Sequence, residues 1–119
     1  MKILCVEDDV DIATLMDNIL SANGHQVTTC HNGVDALSHI RKKKFNLILL
    51  DLEMPDFSGK EVINSLAKED LLEENNIVIL TASDLNEQEI LKFKQKGIKE
   101  FFQKPLSFEK ILDVVTKFE

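Results

Sequence analysis

The stretch Leu47-Ile48-Leu49-Leu50-Asp51 places a carboxylate directly after four consecutive apolar residues. Ile3–Val6 is likewise followed by a carboxylate, Glu7, and Ile77–Leu80 is followed by a hydroxyl residue, Thr81. Strands with one buried face alternate apolar and polar residues, whereas strands covered on both faces read as continuous apolar runs. The three runs therefore predict central strands of a parallel sheet with helices on both sides.

Weaker strand patterns and five helical patterns complete the chain. The additional strands are predicted at Gln26–Cys30 and Glu100–Gln103. In the first helix the residues at helical spacing, expected to be buried, are Ile12, Leu15, Met16, Ile19 and Leu20. The other helices are predicted around Val34–Ile40, Val62–Ala67, Asn86–Lys96 and Phe108–Phe118. Strand and helix alternate five times, which predicts one α/β domain over residues 1–119 with right-handed crossovers.

Local signals mark several helix ends. Asp9 or Asp11 is suited to cap the first helix, and Ser107 is suited to cap the fifth. Gly97 is expected to end the fourth helix. The basic run Arg41–Lys44 is expected to complement the carboxyl end of the second helix, where cations are favoured.

Composition excludes several classes of protein. With 14 Lys and Arg against 21 Asp and Glu, the net charge is −7, which argues against sequence-independent nucleic-acid binding. No apolar run approaches the roughly 18 residues of a membrane span, and Glu7 comes too early for a signal peptide. We therefore expect a cytoplasmic protein without membrane insertion, in which Cys5 and Cys30 are reduced and buried.

The three histidines show no metal-binding pattern. His25, His31 and His39 are not spaced as metal ligands, and no Cys/His cluster is present. We expect these histidines at the surface or its boundary, away from the polar residues that follow the strands.

Acidic residues are expected to meet at one edge of the sheet. In open α/β sheets, ligands bind beyond the carboxyl ends of the strands, which is where Glu7, Asp8 and Asp51 fall. Two unit charges about 4 Å apart repel by roughly 4 kcal/mol at an effective dielectric of 20. A hard divalent cation resolves this repulsion, and Mg²⁺ suits a set of one to three carboxylates.

Two further strand ends supply groups suited to phosphate. Thr81 offers a hydroxyl and Lys104 an ammonium group, both partners for phosphoryl oxygens. Each residue alone would be an ordinary turn or surface residue. Together with the acidic cluster they favour phosphoryl transfer to Asp51.

Four segments in this order resemble the receiver domain of two-component response regulators. They are Cys5–Asp9, Leu49–Pro55 with Gly59, Ile79–Ala82 and Phe101–Pro105. The resemblance covers essentially the whole chain. It implies a flavodoxin-like, doubly wound sheet of five parallel strands in the order 2-1-3-4-5, flanked by five helices.

The resemblance also implies a metal-dependent phosphoacceptor. Asp51 would accept a phosphoryl group from a sensor histidine kinase or a histidine phosphotransfer protein. Glu7, Asp8, Asp51 and the backbone carbonyl of Glu53 would hold Mg²⁺ or Mn²⁺. The chain would catalyse its own phosphoryl transfer and dephosphorylation only.

The remaining family positions would respond to the phosphoryl group. Thr81 would bond to it and shift inward, Lys104 would pair with it, and the small Ala82 would leave it access. Phe101 would be the switching aromatic, although it lacks the hydroxyl of the tyrosine often found there. The bond before Pro105 would be cis.

The expected output is a protein partner, not DNA, as in stand-alone, chemotaxis-type regulators or phosphorelay intermediates; a receiver cut from a longer protein is the alternative. No output domain is expected in residues 1–119, so the signal would leave through the face of the fourth helix, fifth strand and fifth helix. Glu53 and Ser83 occupy positions that tune the phosphoryl lifetime in this family, but the residues do not fix its value.

Two alternatives stay open. A pseudo-receiver would keep the fold without being phosphorylated, although Asp51, Thr81 and Lys104 argue against it. A small phosphohydrolase would use Asp51 as nucleophile and Glu53, two residues later, as a second catalytic acid. The short chain leaves little room for the substrate-covering cap of such an enzyme.

Overall fold

Five strands alternate with five helices in the computed structural model, which describes residues 1–119. The strands are β1 Lys2–Val6, β2 Gln26–Cys30, β3 Leu47–Asp51, β4 Ile77–Thr81 and β5 Glu100–Gln103. The helices are α1 Val10–Ala22, α2 Gly33–Lys42, α3 Gly59–Lys68, α4 Glu87–Lys96 and α5 Phe108–Thr116. All strands pair in parallel in the order β2-β1-β3-β4-β5. The predicted fold class is confirmed.

The continuous apolar strands are buried on both faces. Every residue of β3 and β4 is buried. Alternate residues enter two separate cores: Leu50 belongs to the core that contains Ile63 of α3, and Leu49 belongs to the core that contains Leu20 of α1. This two-sided burial is the physical reason why the runs do not alternate in polarity.

Capping side chains set where the helices begin. Asp9 accepts hydrogen bonds from the backbone N–H groups of Asp11 and Ile12 at 3.0 and 3.2 Å, so Asp9 is the cap of α1. Ser107 caps α5, as predicted. Gly97 ends α4 with φ 118°, a left-handed conformation that glycine adopts without steric cost.

The buried stripe of the helices is narrower than the sequence pattern predicts. In α1 the buried residues are Ala13, Met16 and Leu20, whereas Ile12 is 39% and Leu15 49% exposed. Val34 of α2 and Phe108 of α5 are also exposed. The expectation that Ile12 and Leu15 would be buried is wrong, because a helix that lies on one sheet buries only the residues nearest that sheet.

Both cysteines are free and buried, as expected. Cys5 and Cys30 belong to the two different cores. Burial raises the pKa of each thiol to about 12. No helix combines the length and the apolar character needed to cross a membrane.

Candidate functional site

The topology gathers the polar strand-end residues at one edge of the sheet. Asp51 and Thr81 are the last residues of the neighbouring strands β3 and β4. Glu7 directly follows β1, and Lys104 directly follows β5. Because parallel strands end on the same side, residues from four segments of the chain meet there.

Three carboxylates form a cluster that fits a hard cation. Glu7, Asp8 and Asp51 each offer an oxygen, and these oxygens lie within 4.8 Å of one another. Glu7 and Asp51 are only 3% and 4% exposed, whereas Asp8 is exposed. The cluster is therefore buried on one side and open to solvent on the other, and its donor set consists of the oxygens that Mg²⁺ prefers.

The ammonium group of Lys104 lies among these carboxylates. It donates a hydrogen bond to Oε1 of Glu7 and another, of 3.2 Å, to Oδ2 of Asp51. Burial by itself lowers the pKa of Lys104, but the hydrogen bond to Glu7 and the charge of Asp51 outweigh it, so the pKa is raised. The peptide bond between Lys104 and Pro105 is cis.

Glu7 carries the clearest electrostatic signature of the cluster. Burial raises its pKa from an ordinary value of 4.5 to about 7, with a further contribution from Asp51, while Lys104 acts in the opposite direction. A buried carboxyl beside a second carboxylate retains its proton more readily. One lysine therefore does not fully offset the negative charge of the cluster.

Backbone contacts hold Asp51 in place. The N–H of Glu53 donates to Oδ1 of Asp51 at 2.9 Å. Gly59, at the start of α3, donates its N–H to the carbonyl of Leu52 at 3.1 Å. A Cβ at position 59 would overlap the carbonyl oxygen of Asp51 and lie 2.7 Å from Cα of Leu52. Glycine thus allows α3 to approach the end of β3.

The hydroxyl of Thr81 is bonded to Glu53, not to the carboxylate cluster. It donates to Oε1 of Glu53 at 2.8 Å. The N–H of Ser83 donates to the same oxygen at 2.8 Å and lies 3.1 Å from Oγ1 of Thr81. The hydrogen bonds from Ser83 and Thr81 lower the pKa of Glu53.

The bond between Glu53 and Thr81 is not predicted from the sequence. The resemblance implies for Glu53 only a backbone carbonyl that holds the metal and an influence on the phosphoryl lifetime. The sequence does hold one signal for this contact. Glu53 lies two residues after the end of β3, and Thr81 is the last residue of the neighbouring strand β4.

Thr81 and Phe101 line the same small cavity. Its volume is about 190 Å³, and Ile90 of α4 also lines it. The half-buried ring of Phe101 lies 5.7 Å from the ring of Phe93, also in α4. Thr81 at the site and Ile90 of α4 therefore face the same cavity.

An apolar groove also adjoins the site. It has a volume of about 410 Å³, and the exposed Ile12 and Leu15 of α1 line it together with Leu106. Ala82 and Lys104 also line this groove. The exposed apolar residues of α1 thus border the site, a feature that the sequence pattern alone assigned to the core.

The expectation that all histidines lie away from the site is wrong for His31. A ring nitrogen, Nδ1, lies 3.0 Å from the backbone oxygen of Glu7. His25 instead bonds to the amino group of Met1 at 3.1 Å and lies 3.3 Å from the carboxylate of Glu119, neither of which is a site residue. The contact of His31 arises because β2 pairs with β1, which brings Cys30 beside Val6.

Comparisons with known proteins agree with this fold. The sequence model described as "Response regulator receiver domain" matches residues 3–116. The chain is 30% identical over 117 residues to sporulation initiation phosphotransferase F of Bacillus subtilis, covering 98% of this chain and 92% of that protein. It is 27% identical to the polar-differentiation response regulator DivK of Brucella anthropi, covering 98% and 94%.

A solved structure shares the same architecture. The response regulator TrrA of Thermotoga maritima, solved in complex with Mg²⁺ and BeF, superposes with a TM-score of 0.83 at 28% identity. The match covers 99% of this chain and 98% of that one. From the family match over residues 3–116 and the shared five-stranded fold, the chain belongs to the response regulator receiver domain family, whose members are signalling phosphoacceptors.

Proposed function

We propose that this protein is a phosphorylation-activated switch in which Asp51 is the phosphoacceptor. The observation that carries the proposal is the position of the Asp51 carboxylate: one of its oxygens lies within 4.8 Å of carboxylate oxygens of Glu7 and Asp8, and it accepts a hydrogen bond from the ammonium group of Lys104. This combines an oxygen nucleophile, a set of metal ligands and a cation in one place. Such a combination serves phosphoryl transfer, which depends mainly on positioning and charge stabilisation.

In the proposed reaction a carboxylate oxygen of Asp51 attacks the phosphorus of a phosphohistidine. A P–O bond forms and the P–N bond breaks, and the bonding electron pair leaves with the imidazole of the donor. Lys104 already donates to Asp51 and pairs with the transferred phosphoryl group. Hydrolysis of the acyl phosphate by water returns Asp51 to its carboxylate form.

The residues that would hold Mg²⁺ or Mn²⁺ are Glu7, Asp8, Asp51 and, through its backbone carbonyl, Glu53. When bound, the metal supplies positive charge for the phosphoryl oxygens. The three carboxylates fit this role because two are buried and one opens to solvent. The related TrrA was solved with Mg²⁺ and BeF, which supports the same cofactor here.

We propose a sensor histidine kinase or a histidine phosphotransfer protein as the donor. The apolar groove beside Ala82 and Lys104 offers such a protein a contact surface next to the site, with Ile12 and Leu15 exposed on it. A donor that docks there would place its histidine near Asp51. Free thiols at Cys5 and Cys30 fit a cytoplasmic location for this reaction.

The signal would leave through α4, β5 and α5 to a protein target. Thr81 and Phe101 share a cavity, and the Phe101 ring contacts Phe93 of α4. A shift of Thr81 toward the phosphoryl group would empty part of this cavity and allow Phe101 to move inward. That movement would change the surface of α4 and β5.

The hydrolase alternative finds no support in the position of Glu53. A second catalytic acid must hold a proton to give to the leaving group. The carboxylate of Glu53 accepts bonds from Thr81 and Ser83, which lower its pKa and favour the ionised form.

Intact-mass analysis after incubation with acetyl phosphate and Mg²⁺ tests the proposal. We expect one phosphoryl adduct in the wild type and none in Asp51→Asn. Asp56→Asn is a matched control, since Asp56 is an exposed carboxylate in the loop after β3 and should leave the adduct unchanged. A folded wild type that forms no adduct would favour the pseudo-receiver, and an adduct that persists in Asp51→Asn would exclude Asp51 as the acceptor.

A further inference from the structure

The hydroxyl of Thr81 has a single proton, and that proton is already engaged. A threonine hydroxyl is one donor, and an ionised carboxylate only accepts. Thr81 lies 2.8 Å from Oε1 of Glu53, so it must be the donor in this bond. A phosphoryl oxygen on Asp51 would need the same proton.

We propose that the Glu53 carboxylate holds the hydroxyl of Thr81 in the unphosphorylated protein and competes with the phosphoryl group for it. Glu53 is then a positioning residue that sets how readily the switch responds. The inference rests on the proposed function, because it needs a phosphoryl group on Asp51 as the competitor.

The competition extends to a second donor. The N–H of Ser83 is shared between Oε1 of Glu53, at 2.8 Å, and Oγ1 of Thr81, at 3.1 Å. A movement of Thr81 toward Asp51 therefore has to break or rearrange these bonds together. The lowered pKa of Glu53 agrees with a carboxylate that accepts from both groups.

Glu53 contacts both the phosphoacceptor Asp51 and the switch residue Thr81. The backbone N–H of Glu53 donates to Asp51 at 2.9 Å, while its side chain accepts from Thr81. The backbone contact fixes the phosphoacceptor and does not depend on the nature of the side chain. Substitution of Glu53 can therefore remove the contact with Thr81 and leave the contact with Asp51 in place.

Exposure makes the contact reversible. The side chain of Glu53 is exposed, whereas Thr81 is only 3% exposed. When the bond breaks, water replaces Thr81 at the carboxylate, so the net value of the bond is modest. We expect the contact to lower the affinity of the site for a phosphoryl analogue by a factor of about 3 to 10. A cost of this size still allows the phosphorylated state to form.

Titration with beryllofluoride in Mg²⁺, followed by NMR, measures this competition. We expect Glu53→Ala to bind the phosphoryl analogue about 3 to 10 times more tightly than the wild type. Glu53→Gln should fall between the two, because its amide oxygen still accepts from Thr81 but carries no charge. Glu74→Ala is the control, since it removes one exposed carboxylate away from the site.

A double-mutant cycle with Thr81→Val separates the hydrogen bond from the general effect of charge. Without the Thr81 hydroxyl, Glu53→Ala should change the affinity only through the lost negative charge. The effect of Glu53→Ala should therefore be at least about threefold larger when Thr81 is present. If Glu53→Ala changes the beryllofluoride affinity equally with Thr81 and with Thr81→Val, the inference is overturned. The proposed function would still stand in that case, provided that the wild type binds beryllofluoride.

A second readout needs neither metal nor phosphoryl analogue. In the free protein, the methyl resonance of Thr81 should shift in Glu53→Ala and stay in place in Glu74→Ala. An unchanged Thr81 resonance in Glu53→Ala would contradict the contact itself. A folded wild type that binds no beryllofluoride and forms no adduct would instead remove the proposed function, and the inference with it.

Discussion

Lys104 places its Nζ atom 3.2 Å from Oδ2 of Asp51 and also donates to Glu7. A protein cation therefore shares the carboxylates that are expected to hold a divalent metal. Its side chain is 20% exposed, so it can move within the site without crossing the core. Lysine and metal compete for the same negative charge, and this competition is the basis of the first prediction.

Lys104→Met should bind Mg²⁺ more tightly than the wild type. Removing a positive charge near the carboxylates lowers the repulsion of the metal, and we expect an increase in affinity of roughly tenfold. A Mg²⁺ titration followed by NMR measures it. Lys42→Met, which removes an exposed charge at the end of α2, is the control and should leave the affinity unchanged. Equal affinities for Lys104→Met and the wild type would contradict the competition.

The metal-free protein should become less stable as the pH rises, because Glu7 loses its proton. Its pKa is about 7 in the folded protein against an ordinary value of 4.5, so the folded state holds a proton that the unfolded state releases between these values. The contribution of Glu7 to stability is full below about pH 4.5 and is lost as the pH rises through 7.

Urea unfolding followed by circular dichroism measures this dependence. Between pH 4.5 and 7 we expect the free energy of unfolding of the wild type to fall by about 1–3 kcal/mol relative to Glu7→Gln. Glu74→Gln is the control and should follow the wild type, since its carboxyl is exposed. Parallel curves for the wild type and Glu7→Gln would show that the pKa of Glu7 is not raised.

Gly59→Ala should destabilise the fold and displace Asp51. The added Cβ would overlap the carbonyl oxygen of Asp51, which is backbone and cannot move without shifting β3. We expect the free energy of unfolding to fall by about 2 kcal/mol or more. At a helix position without this overlap, replacing glycine by alanine would instead raise it by up to about 1 kcal/mol. Lys60→Ala, at the next and exposed position of α3, should be near neutral. A stabilised Gly59→Ala would show that α3 and β3 are not in close contact.

The two thiols should be unreactive in the folded protein. Cys5 and Cys30 are 0% and 4% exposed, and burial raises both pKa values to about 12, so little thiolate forms at neutral pH. Ellman's reagent should detect no thiol without denaturant and both thiols in guanidinium chloride. Rapid reaction of either cysteine in the native protein would contradict its burial.

The predictions that succeeded at the level of sequence rest on local properties. The apolar runs that end at Val6, Leu50 and Leu80 are strands because continuous burial leaves no polar alternation. Asp51 and Thr81 come together because parallel strands end on the same side of a sheet. Such patterns predict where the strands lie, that the sheet is buried on both faces, and that the polar residues meet at one edge.

Contacts between distant residues needed the tertiary structure. The sequence does not show that the carboxylate of Glu53 turns toward Thr81, 28 residues away, or that His31 reaches the backbone of Glu7. Nor does helical spacing show that Ile12 and Leu15 border a groove and not the core. The sequence determined which residues end each strand, because that depends on neighbours along the chain. The tertiary structure decided which partner each side chain takes, because a hydrogen bond depends on how separate strands and loops are placed in space.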